Sequence, residues 1–305
     1  MDPVVMAGSL HMRGEKMKLS VDHFAIRKRF REKEAFTVLK KAGFDATDFS
    51  YFGWPSDDPV LGGEYLSYAR EMRRMLDDLD LSCHQCHGPF AYDAHEPMDE
   101  RSENYVAMER SLRSAAILGA DHVTVHSLYV PWVSKEEEWE INRKYFKSFE
   151  HILKNEGIRI AIENLPIQCT ETPEQIDQMI EELDSPCYAA LLDTGHGMIS
   201  DITPEDFIRR LKPGSLCGVH VQDMFEHRDS HLVPYMGEID WDAFIKALRE
   251  AGYQGEMSLE IIHFMEKIPT DLIPAALAYA AQTGRYLIRK FGETQEPYHT
   301  EEKHG

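Results

Sequence analysis

The chain has 305 residues, 43% of them hydrophobic and 28% charged, so it is long enough to bury the core of one large domain or two small ones. Acidic residues outnumber basic ones by 53 to 33, and the formal net charge of −20 opposes binding to nucleic-acid backbones and to anionic membranes. These values exclude a mostly disordered chain and disfavour nucleic acid and membranes as partners.

The first twenty residues contain no apolar run as long as a signal-peptide core, and no later segment approaches the ~18 apolar residues that would span a membrane. The chain has five cysteines, and this odd number does not indicate a disulfide framework. We therefore expect a cytoplasmic protein with reduced thiols. Residues 1–16 form an extension before the first predicted strand, and Met17 could itself serve as the start.

Short runs rich in β-branched and apolar residues alternate with longer segments whose apolar residues recur at helical spacing. The predicted strands are KLSVDHFA (18–25), FDATDFS (44–50), LSCHQCHGP (81–89), DHVTVHS (121–127), IRIAIENLP (158–166), YAALLDTGH (188–196), LCGVHVQD (216–223) and GEMSLEI (255–261). The predicted helices include EKEAFTVLKKAG (32–43), EYLSYAREMRRMLDDLD (64–80), ENYVAMERSLRSAAILGA (103–120) and DAFIKALREAG (242–252). Eight such units in roughly 250 residues predict an α/β fold, a closed (β/α)8 TIM barrel. The barrel is predicted as a single domain over residues 17–290, followed by a polar tail over 291–305.

The active site of a (β/α)8 barrel lies at the carboxyl ends of its strands. Potential metal ligands stand at these ends in the third to eighth predicted strands: His87, His126, Glu163, Asp193 with His196, His220 and Glu260. A single His or Glu at a strand end is more often a solvated or hydrogen-bonded group than a ligand. Their recurrence on six successive strands indicates a functional site.

The stretch CHQCH at residues 83–87 has the Cys-x-x-Cys-His spacing of c-type haem attachment. Side chains alternate between the two faces of a strand, so Cys83 and Cys86 are expected on opposite sides and unable to hold one haem edge together. Haem attachment also needs export, for which no signal is visible. We therefore expect no haem and no Cys-x-x-Cys zinc or redox site.

The chain resembles the xylose isomerase-like TIM barrels, a family of sugar isomerases and epimerases that also includes the endonuclease IV type of DNA repair enzyme. The resemblance covers about residues 17–290 and is carried by HGPF, VTVHS, IAIENLP, LLDTGH, GVHVQD, DSHLVPYMGEIDW and MSLEI, in that order. It implies one divalent cation held by Glu163, Asp193, His220 and Glu260. Oxygen and nitrogen ligands without sulfur suit Mn2+, Mg2+, Co2+ or Zn2+, and Mn2+ is our first expectation.

The resemblance implies a metal-dependent sugar isomerase or epimerase. Glu163 and Glu260 are the expected catalytic pair, one removing a carbon-bound proton to give an enediolate and the other returning it. Loss of a neighbouring hydroxyl would instead give dehydration, as in an inosose-type dehydratase. The expected substrate is a non-phosphorylated sugar or polyol-derived carbonyl compound, because Lys and Arg are sparse at the strand ends. Substrate contacts are expected from His196, His87, His126, Arg228 and Trp54.

Other functions stay open at this point. Ketose 3-epimerases of the family carry a Glu six residues after the first ligand and an Arg six residues after the metal His, where this chain has Cys169 and Glu226. Arg228 could replace that Arg from nearby. Endonuclease IV uses nine ligands for three zinc ions, and this chain has residues of the right type at matching places, with Asp229 and His231 as possible additional ligands.

The charge of −20 disfavours such a nuclease, because a surface that follows phosphates should be basic. A non-catalytic metal-binding barrel and a subunit that needs a partner are further alternatives. Family members commonly associate, so a homo-oligomer is expected on that ground alone.

Overall fold

The computed structural model describes residues 16–53, 58–89 and 95–293. The strands in these residues are β1 (Leu19–Val21), β2 (Phe49–Ser50), β3 (Gln85–His87), β4 (His122–Val125), β5 (Arg159–Glu163), β6 (Tyr188–Asp193), β7 (Leu216–Val221), β8 (Asp223–Phe225), β9 (Arg228–Leu232) and β10 (Met257–Leu259). All eight predicted strands are present, and the hairpin β8–β9 is an addition between β7 and β10.

The helices in the same residues are α1 (Phe24–Arg27), α2 (Glu32–Ala42), α3 (Tyr65–Asp78), α4 (Glu103–Leu118), α5 (Lys135–Ser148), α6 (Glu150–Glu156), α7 (Pro173–Leu183), α8 (Thr194–Ile199), α9 (Pro204–Arg210), α10 (Trp241–Glu250), α11 (Ile262–Glu266) and α12 (Ile273–Gly292). A 3-10 turn, Thr270–Leu272, precedes α12. No helix in the described part of the chain is both long and apolar enough to cross a membrane.

Eight strands form one parallel sheet in the order β1-β10-β7-β6-β5-β4-β3-β2. Its two edges meet, because Asp22 and Asp48 form a parallel bridge and Asp48 N donates to Val21 O at 2.9 Å. Asp45 N also donates to Leu19 O at 2.9 Å. These bonds close the sheet, and the predicted single-domain (β/α)8 barrel is confirmed.

Several predicted boundaries differ from the structure. The first strand ends at Val21 rather than at residue 25, because α1 begins at Phe24. The second strand is reduced to Phe49–Ser50, and residues 44–48 join the barrel through single bridges. Helix α12 continues to Gly292, past the predicted limit at 290. Most of the predicted extension (1–16) and tail (291–305) lies outside the described residues.

The two cysteines of the CHQCH stretch lie together, which contradicts the expectation that they face opposite sides. Their Sγ atoms are 3.5 Å apart. Strand β3 begins at Gln85, so the alternation of a strand does not extend back to Cys83. Both cysteines are buried, and burial raises the pKa of the Cys86 thiol well above its usual value. A protonated, buried thiol is the unreactive state of cysteine.

The barrel axis is polar. Gln85 Nε2 donates to Asp48 Oδ2 at 2.6 Å, and His122 Nε2 lies 3.0 Å from Gln85 Oε1. Gly218 on β7 leaves the space for this chain, since a Cβ there would lie 2.6 Å from His122 Nε2 and 2.7 Å from Gln85 Oε1. The apolar core instead fills the layer between the strands and the helices, with residues such as Val21, Ile160, Ile162, Leu192 and Val219 fully buried.

Asp223 anchors the segment that follows the hairpin β8–β9. This residue is fully buried, and its carboxylate accepts hydrogen bonds from Trp241 Nε1 at 3.0 Å and from Ile239 N at 3.2 Å. These hydrogen bonds fix the position of the GEIDW stretch, which leads from the hairpin into α10. The hairpin is held over the carboxyl ends of the strands, where Asp229 and His231 extend from it.

Asp45 joins the last helix to the first strand, and its replacement tests the closure of the barrel. Its carboxylate accepts from both terminal nitrogens of Arg285 at 2.6 Å each and from Leu19 N at 2.9 Å. Burial alone would raise the pKa of Asp45, but Arg285 and the Leu19 amide hold it below its usual value. Because the pair is partly exposed, we expect Asp45→Asn to lower the free energy of unfolding by about 1 kcal/mol at neutral pH.

The effect of Asp45→Asn should depend on pH. A carboxyl whose pKa is lowered by folding contributes stability above its unfolded-state pKa, and that contribution disappears as the pH falls through the folded-state value. The difference between wild type and variant in urea unfolding should therefore narrow below about pH 4. Asp80→Asn, at a fully exposed partner of Lys40, is the control that should leave stability unchanged. A difference that stays constant on acidification would contradict the assignment.

Candidate metal centre

The carboxyl ends of the strands enclose a cavity of about 420 Å3. Its lining includes seven of the predicted site residues: His87, His126, Glu163, His196, Asp229, His231 and Glu260. Asp193 and His220 are fully buried and belong to the same cluster. The structure therefore brings together all four predicted cation ligands, three of the predicted substrate contacts and both possible additional ligands.

Four side chains, Glu163, Asp193, His220 and Glu260, converge at one point and are called here the quartet. One donor atom of each lies within 4.8 Å of the others. They come from β5, β6, β7 and the end of β10, which are neighbours in the sheet. Asp193 and His220 are paired directly across the β6–β7 ladder. Adjacent parallel strands that end at the same level thus place the four groups around a common centre.

The Asp-x-x-His spacing follows from a helix N-cap. Asp193 is the last residue of β6 and caps α8, so its Oδ1 accepts from His196 N at 2.6 Å. The Asn164 amide accepts from Asp193 N at 2.6 Å and donates to Asp193 O at 3.0 Å. Gly195 is required between them, because a Cβ there would lie 2.6–2.8 Å from the Gln222 amide. These contacts fix the direction of the Asp193 carboxylate.

A carboxylate below the quartet orients His220. His220 Nδ1 lies 2.9 Å from Glu163 Oε1 and 3.6 Å from Glu260 Oε2, while His220 Nε2 lies 3.1 Å from Asp48 Oδ2. Asp48 is fully buried and is itself held by Gln85. A carboxylate that accepts from the remote nitrogen of a metal-binding histidine fixes its tautomer and ring orientation. We therefore assign Asp48 to positioning His220 with Nδ1 toward the quartet.

Three further histidines share the opposite arrangement. Nδ1 of His87, His196 and His231 lies 2.8 Å or 3.0 Å from a backbone carbonyl oxygen, which leaves Nε2 of each ring facing the cavity. His231 Nε2 lies 3.1 Å from Asp229 Oδ1, and His196 Nε2 lies 3.6 Å from Asp229 Oδ2. Histidines that bind metals usually donate their other N–H to a carbonyl or carboxylate in this way.

Glu163 also belongs to a second group of potential ligands, with His87 and His126. His126 Nε2 lies 2.6 Å from Glu163 Oε2, and His87 Nε2 lies 3.8 Å from it. Donor atoms of the three residues lie within 4.8 Å of one another. The cavity therefore offers more nitrogen and oxygen ligands than one cation needs.

Burial and neighbouring charges shift the protonation equilibria of the site. Burial raises the pKa of Glu260 well above its usual value, although His220 opposes the shift. Burial would also raise the pKa of Glu163, but His220 and His126 hold this pKa well below its usual value. Burial disfavours a charged His220, yet Glu260 and Glu163 raise its pKa well above the usual value. Burial lowers the pKa of His87 to about 4.

The donor set of the quartet fits a divalent cation. It consists of carboxylate oxygens and an imidazole nitrogen, without sulfur. Glu260 Oε2 is buried and has no hydrogen-bond partner among the described residues. A buried carboxylate oxygen in this state is costly unless a cation or a donor pairs with it. Mn2+, Mg2+, Co2+ and Zn2+ all accept ligands of these types.

Arg228, for which a substrate contact was predicted, does not line the cavity. The side chain is 78% exposed, and its guanidinium lies 3.7 Å from the Glu226 carboxylate. Alternation along β9 places Asp229 and His231 on one face of the hairpin and Arg228 on the other.

The predicted contact from Trp54 falls on residues outside those described. Phe52, from the same aromatic stretch, lines the cavity and packs on Phe24 with ring centroids 4.6 Å apart.

The sequence analysis did not select three residues that contribute to the site: Asp48, Gln222 and Lys28. Asp48 immediately precedes β2, and the sequence analysis selected candidate ligands only from the third strand onward. Gln222 Nε2 donates to both Asp193 oxygens at 3.2 Å and to Asp229 Oδ1 at 2.9 Å. Lys28, which follows α1, lines the cavity. The helix before Lys28 was not predicted, so the pattern of strand ends gave no reason to select this residue.

The sequence signature of the xylose isomerase-like TIM barrel family matches residues 36–283. An uncharacterised protein of Methanocaldococcus jannaschii is 27% identical over 184 residues, which are 57% of this chain and 62% of that protein. An inosose dehydratase of Clostridium botulinum is 24% identical over 171 residues, which are 51% of this chain and 55% of that protein. The chain covers less than two thirds of the length of either relative.

Solved structures share the fold at low sequence identity. The 3-keto-D-glucoside 4-epimerase from E. coli is 18% identical with a TM-score of 0.69, over 88% of this chain and 100% of that one. D-psicose 3-epimerase is 17% identical with a TM-score of 0.70, over 89% and 99%. The IOLI protein with a bound zinc atom is 18% identical with a TM-score of 0.70, over 90% and 98%. At these identities the likeness establishes the fold alone.

Asp48→Asn tests the positioning role of Asp48, because it keeps the volume and removes the charge that faces His220 Nε2. We expect the affinity of chelator-treated protein for Mn2+ and Zn2+ to fall about 10- to 100-fold. Isothermal titration calorimetry measures this change.

The matched control for Asp48→Asn is Asp177→Asn. Asp177 is also a buried carboxylate, but it accepts from Lys212 N and Ser215 Oγ at 2.7 Å, away from the quartet. This variant should lose stability and keep its affinity for the cation. Equal affinities in wild type and Asp48→Asn would contradict the assignment.

Proposed function

Because the chain belongs to the xylose isomerase-like TIM barrel family, we propose that it is a divalent-metal-dependent sugar isomerase or epimerase. The proposed substrate is a non-phosphorylated sugar or polyol-derived carbonyl compound, and the proposed cation is Mn2+. The observation that carries the proposal is the buried quartet beside a cavity of about 420 Å3, a volume within the range of small-molecule sites. The similarity to two sugar epimerases supports the same reaction class.

The proposed reaction moves a proton at a carbon next to a carbonyl group. A divalent cation bound by the quartet would stabilise the negative charge that develops on the substrate oxygens when this proton leaves. Glu163 and Glu260 reach the centre from β5 and from the end of β10, with donor atoms no more than 4.8 Å apart. One carboxylate removes the proton and the other, as its acid form, returns a proton at the same carbon or its neighbour. Asp193 and Asp48 fix the geometry without touching the reacting carbon.

Dehydration is a second outcome of the same first step. After the carbon-bound proton has moved to one carboxylate, loss of a hydroxyl from the adjacent carbon forms a double bond. The hydroxyl leaves as water with a proton from the acid form of the other carboxylate. The inosose dehydratase relatives support this alternative within the same site.

A multinuclear metal phosphodiesterase is a second candidate function. Its support is the orientation of His87, His196 and His231, whose Nε2 atoms face the cavity, and the second ligand group around Glu163. Two cations would stabilise the attacking and leaving oxygens of a phosphoryl displacement. The net charge of −20 argues against DNA as the substrate, so we propose no nucleic-acid partner.

Solvent hydrogen exchange tests the proposed reaction class directly. Mn2+-loaded protein is incubated in D2O with a panel of ketoses, aldoses and inososes, and deuterium at the carbon next to the carbonyl is followed by NMR. We expect incorporation with at least one substrate, because the removed proton exchanges with solvent before return. In Glu163→Gln the rate should fall about 100- to 10,000-fold, since the proton-transferring carboxylate is gone. Glu181→Gln, at an exposed helix position, should match wild type.

The products distinguish the alternatives. Recovery of a stereoisomer or of an aldose–ketose pair supports the isomerase or epimerase, and loss of water supports the dehydratase. No exchange with any carbonyl substrate, together with cleavage of abasic-site DNA, would contradict the proposal in favour of the phosphodiesterase.

A further inference from the structure

A second cavity, of about 560 Å3, opens at the opposite end of the barrel. It lies where the strands begin: His122 and Arg159 are the first residues of β4 and β5, and Glu256 immediately precedes β10. None of the described residues that line the carboxyl-end cavity lines this one. The amino-end cavity is therefore a separate space with its own charged groups.

Glu256 is buried in this cavity and forms no ion pair within the described residues. It is 7% exposed, and neither carboxylate oxygen makes a hydrogen bond within the described part of the chain. Burial raises the pKa of Glu256 to about 7, against the opposing influence of His84, Ser20 and Lys18. A buried carboxylate is destabilising unless a cation or hydrogen-bond donor pairs with it. The cavity thus offers an acceptor site that is complementary to an ammonium group.

Arg159 supplies the opposite charge in the same cavity. It is half-buried, and its guanidinium makes no hydrogen bond or ion pair with any residue that the structure describes. Arg209, on the same lining, is by contrast paired with Glu250 at 3.5 Å. The fork of guanidinium donors matches a carboxylate, which it can bind through two parallel hydrogen bonds.

His122 adds a neutral acceptor beside Arg159. Gln85 donates its amide N–H to Asp48, so Gln85 Oε1 accepts from His122 Nε2, and His122 Nδ1 is left as the acceptor. This Nδ1 is buried and has no hydrogen-bond partner among the described residues. An N–H group of a ligand would satisfy it.

We propose that the amino-end cavity binds a free amino acid with an apolar side chain, its ammonium group paired with Glu256 and its carboxylate with Arg159. A zwitterion supplies one opposite charge for Glu256 and one for Arg159 and has no net charge, so the charge of −20 does not repel it. Ile208, Leu211 and Leu216 form an apolar part of the lining that suits an aliphatic side chain. The residues that would hold the amino acid are separate from those that line the cavity of the proposed sugar chemistry.

Calorimetric titration of the full-length protein with L-leucine and two analogues tests the proposal. Leucinamide lacks the carboxylate, and 4-methylpentanoate lacks the ammonium group. We expect L-leucine to bind at least about tenfold more tightly than either analogue, because each analogue leaves one charged group without its partner. This comparison needs only the wild-type protein, so it does not depend on the folding of a variant.

Two variants assign the charged ends of the ligand. Arg159→Gln should weaken L-leucine about tenfold or more and leave leucinamide unchanged, whereas Glu256→Gln should weaken L-leucine and leave 4-methylpentanoate unchanged. Arg143→Gln, whose guanidinium pairs with Glu140 on α5, is the control that should keep wild-type binding. Binding should also persist in Asp193→Asn, which damages the quartet, so the failure of the proposed function would not affect this result.

Three results would overturn the proposal. The first is an absence of binding by L-alanine, L-leucine and L-phenylalanine at millimolar concentration. The second is equal binding of L-leucine and both analogues. The third is binding that survives Arg159→Gln and Glu256→Gln but is lost in Asp193→Asn, which would place the ligand in the carboxyl-end cavity instead.

Discussion

Four carboxylates buried at one end of the barrel set the conditions for the rest of the site. Asp48, Glu163, Asp193 and Glu260 are each at most 5% exposed. Placing such charges together away from water costs several kcal/mol per ion unless donors and cations compensate them. His220 stands between Asp48 and Glu163, and amide groups hold Asp193 from two sides. A divalent cation at the centre of the quartet would supply the remaining positive charge and a partner for Glu260 Oε2.

Hydrogen bonds along the barrel axis compensate the buried carboxylate of Asp48. The interior of a (β/α)8 barrel is usually filled by branched apolar side chains. Here Asp48 is held by Gln85, which is held in turn by His122, and Gly218 provides the space for this chain. His122 lines the cavity at the amino end, so hydrogen bonds connect the floor of that cavity to the imidazole of His220. The orientation of His220 in the quartet therefore depends on residues at both ends of the barrel.

The sequence was sufficient for the fold and for much of the site, for a physical reason. Parallel strands of a closed barrel end at one level, so Glu163, Asp193, His220 and Glu260 could be brought together from strand order alone. The Asp-x-x-His pair was implied by the family resemblance, whereas the helix that Asp193 caps was not foreseen, because the sixth strand was predicted to continue to His196.

The structural features that the sequence did not reveal depend on local geometry. Cys83 lies before β3 and escapes the strand alternation, so its contact with Cys86 was not foreseen. Arg228 lies in an unpredicted hairpin, whose alternation turns its side chain away from the cavity. Asp48 acts through His220, and a hydrogen bond between residues 172 positions apart leaves no pattern in the sequence.

The number of divalent cations bound per chain is the most direct test of the quartet as a metal site. Elemental analysis of protein purified without a chelator would be compared with the same analysis of Glu260→Gln. We expect about one divalent cation per chain in wild type and its loss in the variant, because Glu260 completes the quartet. Two or three zinc ions per chain, or a cation retained in full by Glu260→Gln, would contradict a single-cation sugar enzyme.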